Sequence, residues 1–182
     1  MFKKLKVNSD ITALPIKSNS IDLLLTSEVL EHLENEALEK AVTELQRSAG
    51  KYILITVPNH EMLAKNALKC PKCNSVFNAS YHVQSFTTER LQHIFPGFKC
   101  LKVTEFGPGW RRYVPSLLKI RHNRGNGWFK IPPSRTVMCP NCENTTFPKF
   151  KMNPIVFVCD GINKFTSPRR PYYLIALYER KI

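Results

Sequence analysis

Hydrophobic residues in the first sixty positions fall into two short dense runs with one amphipathic stretch between them. Ile21-Asp22-Leu23-Leu24-Leu25-Thr26 follows the polar turn Lys17-Ser18-Asn19-Ser20 and is nearly continuous in apolar residues, as a buried parallel strand would be. Tyr52-Ile53-Leu54-Ile55-Thr56-Val57 repeats the pattern with β-branched residues and closes on Pro58. Between them Leu38, Ala41, Val42, Leu45 and Ala49 recur at helical spacing, Glu36 and Lys40 stand four apart for an ion pair, and Gly50 supplies a stop. A shorter strand is read at Leu5-Lys6-Val7-Asn8, ending at Asp10. This alternation predicts an α/β protein with a mostly parallel sheet.

The stretch 61–97 is expected to open with a helix, pass through a Cys-x-x-Cys pair and enter a second helix from Thr88 to Phe95. Thr87 is placed to cap that helix, Phe86 and Leu91 to staple it, and Pro96-Gly97 to end it. Strands follow at Phe98–Phe106 and Tyr172–Glu179. Roughly sixty residues separate them, far beyond a hairpin loop, so 107–169 is an insertion, a small subdomain or a partly mobile segment.

A length of 182 residues fits one domain carrying an insertion, and 43% hydrophobic residues exclude a wholly disordered chain. No apolar run approaches the roughly 20 residues that cross a bilayer, and Met1-Phe2-Lys3-Lys4 leads into Val7-Asn8-Ser9-Asp10 rather than an apolar signal core. A soluble, cytoplasmic protein is expected. Lys and Arg number 27 against 14 Asp and Glu, and the resulting +13 favours an anionic partner: nucleic acid, a phosphorylated substrate or an anionic membrane surface. In the insertion, Trp110-Arg111-Arg112-Tyr113 and Arg121-His122-Asn123-Arg124-Gly125-Asn126-Gly127-Trp128-Phe129-Lys130 interleave cations with aromatics. Such a surface pairs with phosphates and stacks on bases, or it is a solvated face over packed rings.

Four of six cysteines form the pairs Cys70/Cys73 and Cys139/Cys142. Cys70-Pro71-Lys72-Cys73-Asn74 and Cys139-Pro140-Asn141-Cys142-Glu143 look like two zinc knuckles that together complete a Cys₄ site, with Asn74 suited to a left-handed backbone. The 65 residues between Cys73 and Cys139 exceed ordinary ribbon spacing, so such a site would join 68–82 to the insertion. A redox pair and unrelated thiols are the other readings, and His82 is a substitute ligand. Cys100 and Cys159 lie in strand-like runs and are read as buried filler.

Asp10-Ile11-Thr12-Ala13-Leu14-Pro15, then Ser20 to Leu25, then Ser27-Glu28-Val29-Leu30-Glu31-His32-Leu33 together resemble the central part of class I S-adenosylmethionine-dependent methyltransferases of the type 11 kind. The similarity extends through Tyr52 to Asn59 and, more loosely, through Tyr81 to Thr87 and the C-terminal strand pair. It implies a partial Rossmann-like methyltransferase domain over 1–106 and 170–182, its sheet mostly parallel with an antiparallel C-terminal strand. The cofactor S-adenosylmethionine would lie across the carboxyl ends of the parallel strands. Asp10 would accept from the adenine amino group with Ile11 beside the ring, and Ser27 and Glu28 would line the methionine end. As ordinary residues Asp10 is a turn or cap, and Glu28 and His32, one helical turn apart, are solvated helix-entry positions. The family's glycine-rich loop and ribose-binding acid precede the point where this chain begins. The chain is thus a fragment, or Met1 is internal, or the fold lacks the cofactor site.

The resemblance implies methyl transfer to a small-molecule, glycan or other acceptor, with His60 and His82 as candidate general bases. From a different class, the competing reading is a non-catalytic zinc-containing module that holds an anionic partner such as nucleic acid.

Overall fold

The computed structural model describes residues 6–181. The chain forms two compact units, one from residues up to 59 with 86–106 and 173 onward, the other from 60–85 and 107–172.

The first unit is built on a four-stranded sheet. β1 (Ile21–Ser27) runs parallel to β2 (Ala49–Pro58), pairing Leu24 with Ile53 and Ser27 with Thr56. β6 (Arg169–Arg180) lies antiparallel on the other side of β2, so that Pro58 faces Tyr173, and β5 (Phe98–Arg111) closes the order β1-β2-β6-β5. The expected mixed α/β architecture with an antiparallel C-terminal strand is therefore present. Two helices cover one face of this sheet. α1 (Asn35–Ser48) buries Leu38, Ala41 and Leu45, the stripe its spacing predicts, and α2 (Thr88–His93) buries Leu91. They meet Leu24, Ile53, Ile55, Val57, Phe86, Leu174, Ala176 and Tyr178 in one core. Each fully buried large apolar side chain there contributes about 1.5–3 kcal/mol. Thr87 caps α2 by accepting from the Arg90 amide at 3.1 Å, as its position predicts. The hydroxyl of Tyr178, buried in the core, donates to the Leu91 carbonyl at 2.7 Å.

The other face of β1 is open. Leu23 and Leu25 are 53% and 61% exposed, so the run expected to be buried on both sides buries only Leu24 and Thr26. The strand expected at 5–8 is not formed either: 6–10 are irregular and exposed, without a ladder partner among the described residues, and Leu5 lies outside them. Gly50 does not stop α1. The helix ends at Ser48, and Gly50 sits within β2, where an added Cβ would meet the Asn19 carbonyl oxygen at 2.8 Å. Its role is close strand approach rather than a left-handed cap.

The second unit opens without the expected helix. A single 3₁₀ turn (Leu63–Asn66) leads into a hairpin of β3 (Ala67–Lys69) and β4 (Val76–Asn78) that carries the first Cys-x-x-Cys in its loop. Leu68, Ala79 and Val137 form a small core with Phe77, Trp128, Phe129, Ile131 and Phe147 around it. The insertion also contains two helices, α3 (Pro115–Asn123) and α4 (Pro154–Thr166), so Cys159 is buried on a helix rather than in a strand. Asn153 starts α4 by accepting from the Val156 amide at 3.0 Å, with Pro154 in the first turn. Gly125 and Gly127 let the chain pass between α3 and α4, since a Cβ on Gly127 would lie 2.6 Å from Val156.

Candidate functional site

In the first unit the polar residues gather where β1 and β2 end. Glu28 leaves β1 with a φ of 53°, and its amide donates to the Thr56 carbonyl at 3.0 Å. The Ser27 and Thr56 hydroxyls are 2.7 Å apart, and Thr56 Oγ1 donates to Glu28 Oε1 at 3.3 Å. The parallel register thus brings Ser27 and Glu28 together with Thr56, which was not recognised from sequence. Tyr173 joins them through the antiparallel register of β6; burial raises its pKa first, and the negative charges of Glu28 and Glu31 raise it further. Glu31 is fully buried. The left-handed turn at Glu28 and a 3₁₀ turn of only three residues at Leu30–His32 replace the helix expected there, so Glu28 and His32 share no helical face.

Asp10 and Ile11 stand on the segment before β1. Ile11 packs against the core, and Leu14 beside it is held to α1: its amide donates to Glu44 Oε2 at 2.8 Å, while Arg47 donates to the carbonyls of Leu14 and Ile16 at 2.9 and 2.7 Å. Those bonds to Arg47 and Leu14 draw the Glu44 carboxyl down to about 2. Asp10 accepts from the amide and hydroxyl of Thr12, each at 2.8 Å and both on Oδ1. The Thr12 backbone and side-chain bonds lower its pKa, so it stays an ionised acceptor whose Oδ2 takes neither of these bonds.

The second unit gathers the four cysteines. The sulfurs of Cys70, Cys73, Cys139 and Cys142 all lie within 4.8 Å of one another, with Cys70–Cys142 at 3.5 Å and Cys73–Cys139 at 3.6 Å. Sulfurs about 2.3 Å from a tetrahedral zinc stand about 3.8 Å apart. The two loops repeat one backbone design. The Cys70 amide donates to Ser75 and that of Cys139 to Asn144, at 2.8 and 2.9 Å. Asn74 and Glu143, each following the second cysteine of its pair, donate back to Cys70 and Cys139 and have φ of 61° and 58°. Bonds from Ser75 and Asn141 draw the Cys73 thiol down to about 5. Cys142 is pushed up to about 12: the Asn144 amide favours its thiolate, but burial and the other three sulfurs outweigh that.

His82 is not a fourth-ligand substitute. Its Nδ1 bonds to the buried Glu61, whose other oxygen accepts from Asn66 at 2.9 Å and Asn78 at 3.4 Å. His60 follows β2 with a φ of 49°.

Residues 2–52 match the family model described as a methyltransferase domain. The structure is similar to that of a SAM-dependent methyltransferase from Archaeoglobus fulgidus, with a TM-score of 0.50 and 17% identity over 96% of this chain and 66% of that one. The fold is that of the class I methyltransferases. A SAM-dependent methyltransferase from Thermotoga maritima, described as a possible histamine N-methyltransferase, aligns with a TM-score of 0.46 and 15% identity over 96% of this chain and 63% of its own. The chain thus spans less than two thirds of the length of either. No curated protein matches it in sequence. These likenesses lend no support to the competing reading as a non-catalytic module, and no helix among the described residues is long and apolar enough to cross a membrane.

Proposed function

We propose that this methyltransferase-fold chain holds S-adenosylmethionine along the carboxyl ends of β1 and β2, as part of a protein that methylates a small-molecule or glycan acceptor. The observation that carries the reading is the parallel β1–β2 pair ending in Ser27, Glu28 and Thr56, within and just beyond a segment that matches the methyltransferase domain. Asp10 Oδ2 would accept from the adenine amino group, Ile11 would flank the ring, and Ser27 and Glu28 would line the methionine end. Glu28 and Glu31 supply negative charge for a cofactor whose methionine end carries an ammonium and a sulfonium. Bound there, the cofactor supplies an electrophilic methyl group; the chain's own residues orient it and keep water away. Calorimetric titration with S-adenosylmethionine tests this. Saturable binding weakened about tenfold or more by Asp10→Ala supports it, and no binding, or binding indifferent to both Asp10→Ala and Glu28→Ala, refutes it.

The four thiols would hold one structural zinc. Their spacing fits tetrahedral coordination, and four protein ligands leave no position for substrate, so the ion would tie the β3–β4 loop to the insertion rather than take part in chemistry.

A further inference from the structure

Helix α4 is apolar on its outward side as well as on its inward one. At about 100° per residue, Phe157, Gly161, Phe165, Val158, Ile162 and Ile155 occupy one continuous arc of about 160° with no charge in it. That arc faces solvent: Phe165 is 88% exposed, Phe157 68% and Val158 54%, and Met152 just before the helix is exposed too. The side turned toward its own unit buries the apolar Val156 and Cys159 together with the polar Asn163. Asn163, buried, donates to the Arg112 carbonyl at 3.0 Å and accepts from the Val114 amide at 2.8 Å. Asp160 accepts from the Tyr113 hydroxyl at 2.7 Å and from Arg121 at 2.8 Å. An ordinary surface helix keeps polar and charged residues on its outward side, and an apolar patch this continuous marks a surface that something covers.

Charge decides what covers it. The second unit holds 15 Lys and Arg against 3 Asp and Glu, a net of +12, whereas the first holds 12 against 11. Of the three acids, Asp160 is paired with Arg121 and Glu61 is buried against His82. Two such units placed face to face would repel, which disfavours a second copy. A bilayer of anionic lipids offers both things the surface lacks, an apolar interior and negative headgroups. Exposed cations flank the helix in sequence: Lys151 before it, Lys164 at the border of the arc, Arg169 and Arg170 after it. We infer that α4 lies in the plane of an anionic membrane surface, with its apolar arc among the acyl chains and the flanking cations on the phosphates. The helix is too short to span.

Sedimentation of the full chain with vesicles tests this, using phosphatidylcholine alone and phosphatidylcholine with about 30% phosphatidylserine. Binding to the anionic vesicles only is expected, released by salt and weakened at least about tenfold by Val158→Ser with Phe165→Ser. Lys151→Glu with Arg170→Glu should weaken it as well. All four positions are exposed, so circular dichroism should stay unchanged. No sedimentation with either vesicle would overturn the inference. So would a dimer in light scattering that Phe165→Ser dissolves, or salt-sensitive retention of single-stranded RNA that Phe165→Ser leaves untouched while vesicles are ignored.

Discussion

Replacing Asn163 by leucine puts the orientation of α4 to the test, because a simple count of buried apolar residues makes it stabilising. Asn163 is 5% exposed, and its amide spans two segments: Nδ2 to Arg112, Oδ1 to Val114 and, at 3.3 Å, to the Ser167 hydroxyl. Leucine keeps asparagine's branched outline, though bulkier, and would gain about 1 kcal/mol from burial, but it strands the Arg112 carbonyl and the Val114 amide at about 1–3 kcal/mol each. Both residues retain some access to water, which argues for the lower end. A net loss of about 2 kcal/mol is expected. Phe165→Ser, on the outward arc, should change stability by less than about 0.5 kcal/mol. Urea unfolding followed by tryptophan fluorescence suits the measurement, since Trp110 and Trp128 both belong to the second unit. A leucine variant as stable as the parent, or a serine variant that loses as much as the leucine one, would show that the helix faces the other way.

Three further expectations follow from named contacts. Gly50→Ala should cost about 1–3 kcal/mol, because its Cβ would press on the backbone of Asn19 rather than on a movable side chain, and Gly50→Asn should be no better tolerated; mild variants in urea denaturation would return Gly50 to a capping role. His122 stacks on Trp128 at 4.5 Å, and burial, then Arg121, hold its pKa at about 4 rather than 6.5. The unfolded chain therefore binds a proton between pH 6.5 and 4 that the folded chain refuses, so stability complete above pH 6.5 falls by on the order of 2 kcal/mol across that window. His122→Phe should flatten that part of the denaturation-midpoint profile, and an unchanged slope would count against it. Metal analysis should find about one zinc per chain, lost in Cys142→Ser, and chelation should open 60–85 and 107–172 to protease before the sheet signal in circular dichroism declines; simultaneous loss would contradict a local structural role.

Much of the first unit was legible because its signals are local. The apolar runs of β1 and β2, the stripe of α1 and the Thr87 cap each depend on a few neighbouring residues. Thr56 and Tyr173 were not legible as site residues, since only strand register brings them beside Ser27 and Glu28. The cysteine pairs announced themselves by spacing, but the shared backbone design of their loops, with Glu143 in the conformation expected of Asn74, did not. Helix α4 was missed for an instructive reason. Ile155-Val156-Phe157-Val158 is β-branched and aromatic, and apolar residues on both sides of the helix blur the usual amphipathic reading, leaving Asn153-Pro154 as the one local sign of a helix start.

The outer margin of β1 has a practical consequence for anyone handling this polypeptide. Among the described residues β1 lies at the edge of its sheet, and a parallel edge strand with two leucines in water is a template for growth by strand addition. Concentrated stocks will therefore thicken or precipitate through this margin unless a companion segment caps it. A synthetic peptide of alternating leucine and threonine should act as such a cap and keep the stock clear.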